Sequence, residues 1–259
     1  MAPDPDPTTH RKARRDAPRG FFRAEACGLR WLAEAEPGGG TRIVRVRAVG
    51  EHFIDLERLD HAAPTLGAAE AFGRSLAATH ATGAAAFGAP PVGWAGPAWI
   101  GRQAQANEPV PTWGRFYAEQ RVRPFVHAAV RAGHLDRGAL PPLDDLCDRI
   151  AAGQFDDDRP PARLHGDLWS GNVLYTGRGV CLIDPAAHGG HGLTDLAMLA
   201  LFGSFALDRV LDSYAEAAHL PAGWRDLLGL HQLHPLAVHA VTHGPSYADE
   251  LVAVARRYR

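Results

Sequence analysis

The sequence predicts an α+β protein in which a small mixed piece precedes a larger, mainly helical one. Apolar residues recur at helical spacing over 21–36, 66–80, 113–133 and 143–152, and through nearly everything after residue 192. Short β-branched or alternating runs stand at 41–49 and 52–59. A strand-rich island at 164–184 interrupts the helices. With 259 residues, 46% hydrophobic and 22% charged, the chain is long enough to bury a core and its composition excludes disorder, coiled coil and collagen. The division falls at residue 60, giving a small part over 1–60 and a helical part over 61–259.

Taken in order, residues 1–10 are Pro-rich and polar and read as a loose tail. The next ten, RKARRDAPRG, read as a solvated basic arm on pattern alone. Phe22, Ala26, Leu29, Leu32 and Ala33 mark a helix that Pro37 and three glycines stop. Residues 41–49 and 52–59 read as two strands joined at Gly50. Residues 83–112, rich in Gly, Pro and Trp without a period, read as a long substrate-lining loop. Gln154 to Pro161 is a polar connector, and the last helices break near Pro221 and Gly244.

Charge and cysteine content narrow the partners. A net charge of −2 lacks the basic excess of a nucleic-acid binder. Cys27, Cys147 and Cys181 are odd in number and far apart, which suits a reducing cytosol. No apolar run is long enough to cross a membrane, and Met1 to Arg19 has no apolar stretch of the signal-peptide kind, so a cytoplasmic location is expected. Of 27 basic residues, 26 are arginine, so any task requiring a lysine falls to Lys12. His188 with His191, and His239 with His243, have metal-ligand spacings, but no Cys cluster or HExxH accompanies them. His231, His234 and His239 are expected to pack in the helical end or to rim a pocket.

The island carries the chemistry. Val173 to Thr176 and Val180 to Ile183 flank Gly177-Arg178-Gly179, which predicts a hairpin with a three-residue loop. A hairpin centred on Arg178 pairs Asn172 with Asp184, setting a carboxamide beside a carboxylate. Both are hard oxygen ligands suited to Mg²⁺. Asp167, five residues before Asn172, can reach the same volume. Three converging oxygen groups are what phosphoryl transfer requires: two to hold the metal on the nucleotide and one to deprotonate an attacking hydroxyl. The Asp-to-Asn spacing is that of the protein-kinase catalytic loop, with HGD and IDP in place of HRD and DFG.

The residues LHGDLWSGNVL, LIDPA, and GH followed by DLAM and LFG resemble the fructosamine kinase (ketosamine kinase) family, of the aminoglycoside-phosphotransferase-like branch of the protein-kinase-like fold. Trp169 within HGDLWSGN is the distinguishing feature. FFRAEACGLRWL, LGAAEAFGRSLAATH, WIGRQAQAN, WGRFYAEQR and HQLHPLAVHAV extend the likeness over most of the chain. The resemblance implies a two-lobe kinase-like fold and ATP- and Mg²⁺-dependent phosphorylation of a ketosamine, free or protein-bound. It implies that Asp167 is the base and that Asn172 and Asp184 are the metal ligands. Lys12 is then the phosphate-holding lysine, a compact charge that arginine does not replace. Glu25 is its ion-pair partner, and Glu57 to Leu59 form the hinge that meets adenine. His165 serves as scaffold, Asp195 ties the catalytic loop to the following helix, and Trp169 is either core or a wall of the sugar-amine site.

Three departures stand out. Only eleven residues precede Lys12, without a glycine and with prolines at 3, 5 and 7, so the glycine-rich phosphate lid and its strands are expected to be missing. Gly192-Leu193 stands where many relatives carry Arg-Glu, and Asp55-Leu56-Glu57-Arg58 occupies a hinge that is usually more apolar. Two alternatives follow: a pseudokinase-like binding protein, and a kinase of another amine-bearing alcohol such as an aminoglycoside or choline.

Overall fold

The computed structural model describes residues 6–258. The elements are β1 (Thr9–Ala13), α1 (Phe21–Ala33), β2 (Arg42–Ile43), β3 (Val46–Val49), β4 (Phe53–Glu57), α2 (Leu66–Ala81), β5 (Ala98–Ile100), β6 (Gln103–Gln105) and α3 (Trp113–Phe116). A π turn (Tyr117–Val122) leads into α4 (Arg123–Arg131) and α5 (Leu140–Ala151). There follow β7 (Ala162–Leu164), β8 (Val173–Thr176), β9 (Gly179–Leu182), β10 (His188–Gly190), α6 (Leu193–Phe202), α7 (Leu207–Ala217), α8 (Leu228–His243) and α9 (Pro245–Ala255). The architecture is α+β, as the patterning predicts. No described helix is long and apolar enough to cross a membrane.

An antiparallel sheet of order β1-β4-β3 forms the small part. Helix α1 buries Phe22, Ala26, Leu29 and Leu32, the stripe its spacing dictates. The expected loose tail is corrected here: residues 1–5 lie outside the described residues, but Thr9 and His10 open β1. Local sequence gives this strand little, and its partner supplies the rest. Arg11 stands opposite Asp55 and pairs with it through two 2.7 Å hydrogen bonds. The acids at 55 and 57 are thereby explained, for Glu57 likewise accepts from Arg42 and from the Arg45 backbone at 2.9 and 3.0 Å.

The run 41–49 is not one strand. β3 joins the small sheet, whereas β2 pairs in parallel with β9. Ile43 and Val44 are buried at this seam, which binds the small part to the island. One hydrophobic cluster joins α1, α2, α6 and α7 to both strand systems, and a second unites α3, α4, α5, α8 and α9.

Three further readings need correction. The stretch 83–112 contains the antiparallel hairpin β5–β6, whose three-residue strands are too short to show a period. The helix expected over 113–133 is broken by the π turn. Pro124 has no N–H to offer Gln120 O, and that carbonyl accepts from the Arg121 guanidinium instead. The island hairpin is shifted by one residue from the symmetric register: Val173 faces Leu182 and Thr176 faces Gly179, leaving a two-residue turn at Gly177-Arg178.

Candidate active site

That register change alters how Asn172 and Asp184 meet. In a continued ladder Asn172 falls opposite Ile183, whose N–H donates to Asn172 O at 3.2 Å. Asp184 then belongs to the other face, since a one-residue slip reverses every side chain. The chain avoids this by leaving the ladder at both ends. Asn172 closes a 3₁₀ turn over Ser170–Asn172, and Asp184 takes a left-handed conformation with φ of 55°. Aspartate tolerates this conformation better than most residues. The bend brings the Asp184 carbonyl to 3.4 Å from Asn172 Nδ2, which also donates to Asp167 O at 2.8 Å.

Lys12 comes from β1 to the same place. Its Nζ lies 2.8 Å from Glu25 on α1 and 2.7 Å from Asp184. Burial opposes the Lys12 charge, but the Glu25 and Asp184 carboxylates outweigh it and hold the ammonium above its usual range. A cavity of about 220 Å³ is lined by Lys12, Glu25, Asp167, Trp169, Asn172 and Asp184 together. Glu57 and Leu59 line a neighbouring cavity of about 610 Å³, which Lys12 and Asp184 border from the other side and Val44, Leu174 and Ile183 make apolar.

Asp167 is held by its loop. His165 is buried, donates from Nε2 to Ile183 O at 2.8 Å, and accepts the Asp167 N–H on Nδ1 at 3.3 Å. Asp195 at the start of α6 accepts the backbone N–H groups of His165 and Gly166 at 2.8 and 2.9 Å. It also meets His80 Nε2 at 3.1 Å, and His80 Nδ1 meets the Tyr214 hydroxyl at 2.8 Å. Tyr214 and His80 explain Gly192: a Cβ there would lie 2.5 Å from the Tyr214 oxygen and 2.9 Å from His80 Nδ1. Burial, together with the Asp184 and Asp195 charges, pushes the Asp167 carboxyl up to about 7.

Trp169 is 44% exposed and is no core residue. Its ring covers Gly171, and Trp169 and Asp167 line both this cavity and a groove of about 780 Å³ whose other walls include Phe202, His239, His243 and Tyr247. His239 and His243 stack at 4.9 Å in that groove, while His188, His191, His231 and His234 are buried. The sequence reading missed His80, Tyr214, Phe21, Trp94 and Trp99. Phe21 and Trp99 meet at 5.5 Å and, with Trp94, wall the cavity. The aromatic content of 83–112 was the available signal for the two tryptophans. Two buried partners far apart in sequence left none for His80 and Tyr214.

The donor set fits a hard divalent cation. Asn172 commits its amide nitrogen to two carbonyls, so its Oδ1 faces away from them. Asp184 gives Oδ1 to Lys12, and no described residue meets its Oδ2. Two free oxygens beside the desolvated Asp167 carboxyl suit Mg²⁺.

The fructosamine kinase family model matches residues 10–258. The chain belongs to the fructosamine kinase family. A ketoamine kinase candidate of Thermus thermophilus is 33% identical over 242 residues, 93% of this chain and 83% of that protein. The crystal structure of a fructosamine-3-kinase candidate from Thermobifida fusca superposes with a TM-score of 0.87 at 44% identity, covering 96% of this chain and 84% of the other. A thermostable mutant of an aminoglycoside phosphotransferase, in ternary complex with ADP and hygromycin B, has a TM-score of 0.61 at 14% identity, over 99% and 93% of the two chains. That likeness places the fructosamine kinase family chain in the protein-kinase-like fold.

Proposed function

We propose that this fructosamine kinase family protein transfers the γ-phosphoryl group of ATP to the 3-hydroxyl of a ketosamine, free or protein-bound, in the cytoplasm. What carries the reading is the convergence of Lys12, Glu25, Asp167, Asn172 and Asp184 on one cavity from four separate stretches of chain. Residues 1–60 act as the nucleotide side, with adenine in the apolar cavity beside Glu57 to Leu59, and 61–259 carry the catalytic loop and the acceptor. The ketosamine enters by the groove behind Trp169, which walls its sugar. Asp167 takes the proton of the attacking hydroxyl as that oxygen bonds to the γ-phosphorus and the bond to the β-phosphate oxygen breaks. A carboxyl at about 7 in the metal-free protein is matched to this task at neutral pH. Lys12, fixed by Glu25, positions the α- and β-phosphates. Asn172 and Asp184 would hold Mg²⁺, which neutralises charge on the phosphates. Most of the rate enhancement is positioning and electrostatics.

ATP consumption measured across ketosamines, aminoglycosides and choline tests the reading. Turnover is expected with ketosamines alone; turnover only with another alcohol overturns the substrate class. Lys12→Arg is expected to lower kcat/KM for ATP roughly 10²-fold, because a planar guanidinium does not reproduce a point charge between two carboxylates. Asp184→Ala is expected to remove both turnover and its Mg²⁺ dependence in a metal titration. Metal-dependent turnover near the parent rate would refute the ligand role.

A further inference from the structure

Arg121 is buried completely, yet no carboxylate among the described residues pairs with it. Its guanidinium donates instead to Ala106 O at 2.6 Å, to Gln120 O at 3.2 Å and to Asn107 Oδ1 at 2.6 Å, and packs over Phe116. Its Nε finds no partner. Burying a cation on such terms is expensive, and an apolar residue would fill the place more cheaply. Its neighbour Gln120 clamps Glu108, accepting from its N–H at 3.0 Å and donating to its C=O at 2.8 Å. The π turn thus straps residues 106–108 from two sides, and π turns of this kind recur at functional sites.

Asn107, in the middle of that strap, lines the cavity that holds Asp167 and Trp169. Arg121 can only donate, so the carboxamide atom facing it must be the oxygen. The amide nitrogen is thereby turned away from Arg121, and no acceptor among the described residues meets it. A guanidinium pulling on Oδ1 also polarises the amide and strengthens its N–H groups as donors. The cavity therefore has a fixed N–H donor, on the wall formed by the 83–112 stretch, that nothing in the fold uses.

We propose that Asn107 is a specificity-determining residue that donates its Nδ2 hydrogens to a sugar oxygen of the acceptor, and that Arg121 is the positioning residue that sets its orientation. This deepens the kinase reading and rests on it. An oxygen-rich acceptor satisfies the donor, whereas an acceptor lacking oxygen there leaves it unpaired, which is how such sites discriminate.

The test uses the 259-residue chain, ATP with Mg²⁺, and fructosyl-glycine as probe. Wild-type turnover of this probe is established first; its absence would count against the kinase reading itself. Given turnover, Asn107→Ala is expected to raise the KM for fructosyl-glycine roughly tenfold, with the KM for ATP within twofold. Asn107→Asp keeps the oxygen that Arg121 needs and gives the buried cation a charge partner, so its thermal midpoint is expected to equal or exceed that of wild type. It has no N–H donor, so its KM for fructosyl-glycine is expected to stay raised. A purely structural Asn107 predicts the reverse, with Asn107→Asp restoring the sugar KM along with stability. That result overturns the proposal, as does an Asn107→Ala effect confined to ATP.

Discussion

Asp167→Asn is expected to abolish phosphoryl transfer, with a loss of roughly 10²–10⁴-fold from the base alone, and at the same time to make the resting protein more stable. The second half follows from linkage. In the unfolded chain the carboxyl titrates near 3.8, and in the fold near 7. Between those values the folded state holds a proton that the unfolded state has released. Stability therefore falls as pH rises from about 4 to about 7 and stays low above that. One unit corresponds to about 1.4 kcal/mol, and partial solvent access reduces the sum to a few kcal/mol at most. Asparagine does not titrate, so the mutant should match wild type near pH 4 and exceed it at pH 8. Thermal unfolding of metal- and nucleotide-free protein at several pH values reads this directly. A stability difference that did not grow with pH would remove the desolvated-base assignment even if activity were lost.

Asp195→Ala should produce a large loss of stability. It leaves the buried N–H groups of His165 and Gly166 and the His80 ring without their acceptor. Burial opposes the Asp195 charge, but the His80 contact and the backbone donors outweigh it and hold the carboxyl below its usual range. Its contribution is therefore present above about pH 4 and is lost as pH falls through the lowered value. Removing one partner of such a buried network costs about 3–5 kcal/mol, which for a chain of this size lowers the melting temperature by roughly 10 °C. Asp195→Asn keeps one acceptor oxygen and should fall between. Calorimetry at pH 7 orders the three proteins. If Asp195→Ala melted within 2 °C of wild type, Asp195 would not be what holds the loop at His165–Asp167.

Much of this site is legible in the sequence because its chemistry is concentrated in one short segment, with Asp167 and Asn172 at fixed spacing and Asp184 across a Gly-marked turn. Lys12 is legible for the opposite reason, as a residue type that occurs once. The hairpin register is not legible. Gly177-Arg178-Gly179 is compatible with loops of two or three residues, and the left-handed Asp184 that brings the acid back beside the amide leaves no local trace. β1 is hidden because what pairs with it, the β4 ladder and Asp55 opposite Arg11, lies 44 positions away in sequence. His80 and Tyr214 were hidden because each owes its importance to a neighbour more than a hundred positions away.

The seam between β2 and β9 has a consequence for how the enzyme comes into being. Arg42 and Ile43 emerge from the ribosome early, but their parallel partners Cys181 and Leu182 are made much later. Until then β2 has no ladder partner, and Lys12 and Glu25 cannot gain Asp184. The cavity wall that Lys12, Glu25 and Asp184 share is thus completed only when translation reaches the island, and a chain arrested before it should be a chaperone client rather than a slow enzyme.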